Sequence, residues 1–416
     1  IKKDINIICE ASFSYNGLFC SVDILKKNGD SYELYEVKSS TSLKEIYLHD
    51  VAFQNYVLLK LGLKIRSVYI VHINGEYVRY GDLDLDQLFT VVDVTEEANG
   101  LYNDVDNRID FLSSYISQVD EPEMDISEAC KKPYDCGYWN YCSRHLPHPN
   151  TFDIKKISKK GFENYRNGIV NFDDVLHNVN LSPNQLRQVD TELYNRPPHI
   201  DIFEIRSFLQ TLSYPLYFLD FETFMQAVPK YDGISPYIQI PFQYSVHYLN
   251  TKEDKLEHRE FLAISGTDPR RTLAERLVED IPLNVCTVAY NMSFEKRVIK
   301  HLATLYDDLA EHLLNINENM KDIMVPFQKH HYYSKEMKGS YSIKYVLPAL
   351  FPNDPDLDYS NLPGVQNGSE AMGAFAKLPG KGKKEADSIR KGLLKYCELD
   401  TLAMVKIWEK LKQLIE

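Results

Sequence analysis

The sequence predicts an α/β protein built as two α/β parts with a helical stretch between them. Three observations carry that expectation. Short β-branched and aromatic runs alternate with helical periodicity over residues 1–100, and again from Tyr214 onward. The intervening residues, about 155–195, show small helices and polar turns without a strand pattern. Two proline-containing breaks bracket that stretch, LPHPN at 146–150 and Pro197-Pro198, because proline lacks a backbone donor and interrupts any helix. The divisions that follow are 1–146, 147–213 and 214–416.

The chain opens at Ile1 in what already reads as a strand, so a further N-terminal segment is expected before it. Residues 18–25 and 32–38 read as two short strands, and Asn28-Gly29 between them is a hairpin signal. Residues 43–62 have amphipathic helical spacing that ends at Gly62, and 67–73 form a further strand stopped by Asn74-Gly75. Helical pattern is expected over about 84–118. In the last part, 217–219, 242–249 and 285–289 read as strands, the third followed by a helix, and a final helix covers about 385–415. No internal repeat or low-complexity tract interrupts this order.

Composition narrows the function classes. Of 416 residues, 44% are hydrophobic and 26% charged, a balance that lets each part bury a core. No run of eighteen apolar residues and no secretory signal is present, so no membrane span is expected. The net charge of −13, from 47 Lys+Arg against 60 Asp+Glu, argues against a protein that coats nucleic acid through a general basic surface. It fits an enzyme whose carboxylates hold metal ions and whose basic contacts are local. The 29 tyrosines are expected mostly in cores, with stacking on unpaired bases open to a few. Seven cysteines, odd in number and without a signal peptide, do not read as a disulfide framework and point to a reducing, cytoplasmic compartment.

Three constellations carry chemistry. In the first, Asp23 lies on one hairpin strand and Glu36 and Lys38 lie two apart on the other, so both leave the same face. Two acids and a lysine at one sheet position suit Mg²⁺- or Mn²⁺-assisted hydrolysis of a phosphodiester. The lysine can position water or stabilise charge. Such pairs also occur as solvated cross-strand contacts. In the second, Cys130, Cys136 and Cys142 recur at equal spacing in CKKPYDCGYWNYC, a pattern that binds Zn²⁺ or an iron–sulfur cluster. In the third, Asp220 and Glu222 share a strand face in LYFLDFET, Asn291 and Glu295 are four apart in AYNMSFEKRV, and Tyr396 and Asp400 are four apart in KYCELDT. Acids from a strand and two helices can form a two-metal cage, with Tyr396 placed to orient the attacking water.

The first constellation resembles the RecB-like branch of the PD-(D/E)XK nucleases, in which a Gln follows on the next helix; Gln54 in AFQNYVL matches it. That branch has a His upstream of the Asp. Here none precedes Asp23, so the resemblance places it in an upstream segment or puts Glu10 in a related position. RecB-like nucleases of the CRISPR-associated type carry a 4Fe–4S cluster held by three cysteines after the nuclease core and one before it. Cys130, Cys136 and Cys142 look like the downstream trio, with Zn²⁺ as the alternative. Cys9 and Cys20 are candidates for the fourth ligand by order only, an upstream cysteine being the preferred one.

The third constellation is similar to the DnaQ-like 3′–5′ exonucleases in their tyrosine form, on an RNase H-like fold, over about 214–416. Asp220 and Glu222 match the first motif, Asn291-x-x-Phe294-Glu295 the second, and Tyr396-x3-Asp400 the third. The second motif normally ends in Asp, and here it ends in Glu295. Asp322 in KDIMVPF is a secondary candidate that caps or borders the cleft. Lys377, Lys381, Lys383, Lys384, Arg390 and Lys391, with Gly380 and Gly382, form a basic stretch that could hold a phosphate backbone. The two resemblances together imply a Mg²⁺- or Mn²⁺-dependent 3′–5′ exonuclease acting on nucleic acid, single-stranded DNA favoured over RNA. They add a RecB-like second site and helices resembling a helix-hairpin-helix link between, with a role in repair, defence or CRISPR-related work. A ribonuclease with the same residues and a non-catalytic nucleic-acid-binding scaffold are the alternatives.

Overall fold

Asn28 and Ser31 pair across the hairpin turn, and Gly29 takes φ +62°, a left-handed conformation that glycine adopts without steric cost. In the computed structural model, which describes residues 5–416, this hairpin belongs to a five-stranded sheet. The strands are β1 (Ile7–Tyr15), β2 (Leu18–Asn28), β3 (Ser31–Lys38), β4 (Ile65–Ile73) and β5 (Phe89–Asp93), in the order β1-β2-β3-β4-β5. β3 and β4 run parallel because α1 (Glu45–Lys60) carries the chain back between them; the other pairs are antiparallel. α1 covers the sheet with Val51, Ala52, Val57 and Leu58, which pack with Val22, Leu25, Leu34, Val68 and Ile70.

The helical reading of 84–118 is corrected in its middle. Only α2 (Leu85–Leu88), α3 (Thr95–Gly100) and α4 (Tyr102–Ile116) are helical; β5 interrupts them. The β-branched run Thr90-Val91-Val92 suits a pleated strand, and pairing with β4 overrides the helical spacing around it. Ile1 falls outside the described residues.

These elements form one unit, with residues up to Asp125, 129–137 and 225–238. Arg79 ties the last segment in: its carbonyl accepts from Gly233 N at 2.8 Å, and its guanidinium donates to the carbonyls of Pro229 and Lys230 at 3.0 and 3.1 Å.

A second unit holds 126–128, 138–224 and 239–416. Its first helices are short: α5 (Trp139–Cys142), α6 (Lys159–Arg166), α7 (Phe172–Asn178) and α8 (Pro183–Leu193). Asn171 caps α7, and Ser182 with Gln185 forms a capping box on α8. Ile154, Phe172, Val175 and Val189 are the small core that these helices share. Next come β6 (His199–Ile200), α9 (Ile202–Leu209), β7 (Leu216–Phe224), β8 (Ile240–Leu249), β9 (Glu257–Leu262), α10 (Arg270–Asp280), β10 (Cys286–Ala289), α11 (Ser293–Leu305), α12 (Asp307–Glu318) and β11 (Met320–Asp322). The chain ends with α13 (Val325–Gln328), β12 (Tyr332–Tyr333), α14 (Ile343–Leu350), α15 (Gly368–Lys377) and α16 (Lys383–Gln413).

The sheet of this unit has the order β11-β10-β7-β8-β9. β7 is central, parallel to β10 and antiparallel to β8. It is buried on both faces, which its nearly continuous apolar sequence already requires. Tyr217, Leu219 and Phe221 face a core completed by Leu273, Leu277, Val298 and Leu302 from α10 and α11. Leu216 and Phe218 face a second core with Val346 and Leu347 of α14 and Leu399, Ala403 and Ile407 of α16. β6 and β12 form a separate antiparallel pair. Among the described residues, no helix is long and apolar enough to cross a membrane. The protein is of mixed α/β class.

Candidate active site

Strand alternation decides where the acids of β7 point. Asp220 and Glu222 have the parity of Phe218, so they leave the sheet on the side that α16 covers. Their register partners on β8 are Ser245 and Gln243. α16 is fixed over them by contacts one or two turns earlier. Gln243 Nε2 donates to the Leu393 carbonyl at 2.8 Å, and Arg390 donates to the carbonyls of Leu262 and Ala263 at 3.1 and 2.9 Å. Gly392 lets the helix approach the chain closely: a Cβ there would stand 3.0 Å from the Pro363 carbonyl oxygen.

One turn further on, α16 delivers Tyr396, Cys397 and Asp400. Carboxylate oxygens of Asp220, Glu222 and Asp400 lie within 4.8 Å of one another. The Cys397 thiol lies 3.8 Å from the Asp220 carbonyl oxygen and 3.9 Å from its Oδ2. Glu295 comes from the first turn of α11; it is 3% exposed, and its Oε2 is buried with no hydrogen-bond partner. It stands outside the close trio but within its field, raising both Asp220 and Glu222.

Burial and mutual repulsion dominate the electrostatics. Desolvation, then the charges of Asp400, Glu295 and Glu222, hold the Asp220 carboxyl far above the usual range. Desolvation and the charges of Asp400 and Glu295 do the same to Glu222. Burial lifts Asp400 to about 7 against hydrogen bonds from Tyr359 and Tyr396 and the charge of Lys344, all of which lower it. Burial, followed by Asp322 and Asp400, lifts Glu295 to about 8 against its own backbone hydrogen bond. Tyr396 is pushed far up by burial and then by Asp400, Glu222 and Asp220, so its hydroxyl keeps its proton.

Tyr359 belongs to this site, and sequence reasoning missed it. Its hydroxyl donates to Asp400 Oδ1 at 2.6 Å, and its ring lies 5.9 Å from that of Tyr396. It sits 41 residues before Asp400 in a 3₁₀ turn, so no local spacing marks it. Lys344 and Tyr359 also line a cavity of about 640 Å³ with Leu347, Asp358 and Asn367.

Asp322 has a structural task. Its Oδ1 accepts from Asn291 N at 2.9 Å and Met324 N at 3.0 Å, and its Oδ2 accepts from Met292 N at 3.1 Å. It therefore holds the turn where Asn291 takes φ +66° just before α11, and so fixes the start of the helix that carries Glu295. The basic stretch is partly committed as well. Arg390 binds backbone, and Lys381 pairs with Glu385 at 2.7 Å.

A family model described as a domain of unknown function (DUF2779) matches residues 217–342. No curated protein and no solved structure matches the chain. The matched stretch contains Asp220, Glu222, Glu295 and Asp322 and stops before Tyr396 and Asp400.

In the first unit, the structure brings Asp23, Glu36, Lys38 and Gln54 together. The pair Ile24↔Tyr35 sets the register that puts Asp23 beside Glu36. Asp23 Oδ2 accepts from Val37 N at 2.6 Å, Lys38 Nζ donates to Glu36 Oε1 at 2.6 Å, and Gln54 Nε2 donates to Glu36 Oε2 at 2.8 Å. Lys38 is shared with Asp50, one turn before Gln54 on α1, a partner that the sequence did not single out. Burial raises Glu36 against the hydrogen bonds of Lys38 and Gln54. Glu10 lies on β1 with φ +54° and accepts from Ser21 Oγ at 3.4 Å.

The cysteines divide between the units. Cys130 and Cys136 belong to the first, where Cys136 N donates to the Cys130 carbonyl at 2.8 Å; Cys142 belongs to the second. Cys9 is exposed on β1, and Cys20 is buried on β2, its thiol pushed up to about 11 by burial.

Proposed function

We propose that the chain is a divalent-metal-dependent nuclease. Its part over about 214–416 is read as an RNase H-like, DnaQ-like 3′–5′ exonuclease that favours single-stranded DNA, and its first part as a RecB-like PD-(D/E)XK unit with a second site. The observation that carries the reading is the convergence of Asp220, Glu222 and Asp400 within 4.8 Å, with buried Glu295 in their field. Like charges at this separation, out of water, need a cation to ionise together. The donor set is all oxygen, and Glu295 Oε2 is an orphaned buried acceptor, so the residues fit Mg²⁺ or Mn²⁺.

Asp220, Glu222 and Asp400 would hold the ions, and Glu295 would complete the set directly or through water. When bound, Mg²⁺ or Mn²⁺ supplies neutralisation of the phosphate and a lowered water pKa. Tyr396, protonated and four residues before Asp400, orients the attacking water through its hydroxyl. Tyr359 holds Asp400 by its hydrogen bond to Oδ1. Lys344, on the wall of the adjoining cavity, offers positive charge to a phosphate. In the first unit, Asp23 and Glu36 would hold a metal, Lys38 would stabilise charge, and Gln54 would orient Glu36.

The test is digestion of 5′-labelled single-stranded DNA and RNA with Mn²⁺ by wild type, Asp220→Ala and Lys38→Ala. A ladder shortening from the 3′ end, lost in Asp220→Ala and kept in Lys38→Ala, supports the exonuclease reading. Degradation that persists in folded Asp220→Ala refutes it.

A further inference from the structure

The second unit holds another group of ligand-type side chains, outside the acid cluster: His247 of β8, His258 of β9 and Glu398 of α16, with ligand atoms within 4.8 Å of one another. His247 and His258 are cross-strand partners, and their rings stack with centroids 4.4 Å apart. We propose that these three residues form a transition-metal site, for Zn²⁺ or a similar imidazole-preferring divalent ion, that clamps the β8–β9 hairpin to α16.

The hydrogen bonds around the histidines carry the argument. His258 Nε2 lies 2.8 Å from Ser245 Oγ, and His247 Nδ1 lies 2.8 Å from Thr401 Oγ1. Ser245 Oγ and Thr401 Oγ1 are 2.7 Å apart, and Thr401 Oγ1 donates to the Glu398 carbonyl at 3.1 Å. If all four contacts are hydrogen bonds, one assignment of the protons satisfies them together. The Thr401 hydroxyl proton goes to Glu398 O, so Thr401 Oγ1 accepts from Ser245 and from His247 Nδ1–H. The Ser245 proton is then spent on Thr401, so Ser245 Oγ accepts from His258 Nε2–H. In that assignment the other nitrogens, His247 Nε2 and His258 Nδ1, carry lone pairs available to a metal. A ligating histidine has this arrangement, one nitrogen held by a hydrogen bond and the other presented to the metal. Two imidazole nitrogens and a carboxylate make a familiar donor set for zinc, with a fourth position left to water.

The site serves a different purpose from the acid cluster and stands independently of the nuclease reading. Glu398 lies between Cys397 and Asp400, and Ser245 is the register partner of Asp220. An ion on His247, His258 and Glu398 would therefore set the helix turn that delivers Asp400.

The experiment measures bound metal in the full chain with Cys130, Cys136 and Cys142 all changed to Ser, so that thiolates contribute nothing. The protein is loaded with Zn²⁺, desalted and assayed by elemental analysis, and loaded in parallel with Co²⁺ for visible absorption. The parent is expected to retain about one more equivalent of zinc than His258→Gln or Glu398→Gln, to show tetrahedral Co²⁺ bands, and to melt higher with Zn²⁺. Thr401→Val keeps the shape but removes the hydroxyl that holds His247; it should weaken zinc affinity by roughly 10- to 100-fold. Asp220→Asn should retain the zinc. Equal zinc in the parent and in folded His258→Gln and Glu398→Gln, or none in the folded parent, overturns the proposal. Loss in Asp220→Asn alone assigns the ion to the acid cluster and likewise overturns it.

Discussion

Asp400→Asn should make the metal-free protein more stable at neutral pH and, on the proposed reading, remove the metal-dependent nuclease activity. Asp400 is raised from 3.8 to about 7, with burial as the largest cause. A carboxyl raised in this way binds its proton more tightly in the folded state. Its contribution is therefore fully present below the unfolded value and is lost as pH rises towards the folded one. Between about pH 5 and about pH 7 that is two pH units at about 1.4 kcal/mol each, or about 3 kcal/mol from this group. Glu295, raised to about 8, declines over the same window and beyond it. For a unit of this size, about 3 kcal/mol moves the melting temperature by on the order of 10 °C. Asn cannot ionise, and its carbonyl oxygen can still accept from Tyr359. Thermal melts in EDTA across this range should show wild type falling steeply and Asp400→Asn falling less. The two curves should separate most near pH 7, with the variant higher. Mn²⁺ should restore wild type near pH 7 far more than near pH 5, because the ion needs the ionised carboxylates. A wild-type curve that stays flat from pH 5 to pH 7 in EDTA, or parallel curves for the two proteins, would refute the account of a repulsive buried acid cluster.

Other predictions follow from single contacts. Asp220→Asn should lower Mn²⁺-dependent 3′ shortening of labelled DNA at least about 100-fold, the scale of losing one preorganised electrostatic group, with circular dichroism unchanged. Tyr359→Phe removes the hydrogen bond to Asp400; urea melts should show a loss of about 1–3 kcal/mol, accompanied by weaker Mn²⁺ affinity. Gly392→Ala would normally gain about 1 kcal/mol in a helix. Here the new Cβ meets the Pro363 carbonyl, so urea melts should instead show a loss of about 1–3 kcal/mol.

Local periodicity made the central elements legible. The Asp-x-Glu pair sits on a strand and the Tyr-x3-Asp pair on one face of a helix, as their spacings require. The Asn28-Gly29 turn set the register that brings Asp23 to Glu36. What escaped was decided by partners distant in sequence. β5 reads as part of a helix until β4 is there to pair with it. β9, Glu257–Leu262, is an edge strand whose charged residues hide its alternation, as edge strands that resist further pairing do. Tyr359 and Asp50 gain their roles only from Asp400 and Lys38, and His247 and His258 meet only because β8 and β9 pair. Asp322, expected to cap or border the cleft, accepts from three backbone amides, of which those of Asn291 and Met292 are distant in sequence.

The order in which the acids occur along the chain has a consequence for synthesis. Asp220 leaves the ribosome 180 residues before Asp400 (400 − 220), and its strand is buried on the side that α16 later covers. At about 5–20 residues per second, that interval lasts roughly 10–40 s. Throughout it, the nascent chain has the first two acids of the cluster without the helix that closes over them. A chain released before α16 is made, by a broken message or a stalled ribosome, would carry Asp220 and Glu222 without Asp400 and could not assemble the acid cluster. On the proposed nuclease reading, competence comes only once α16 has been made and has packed over β7.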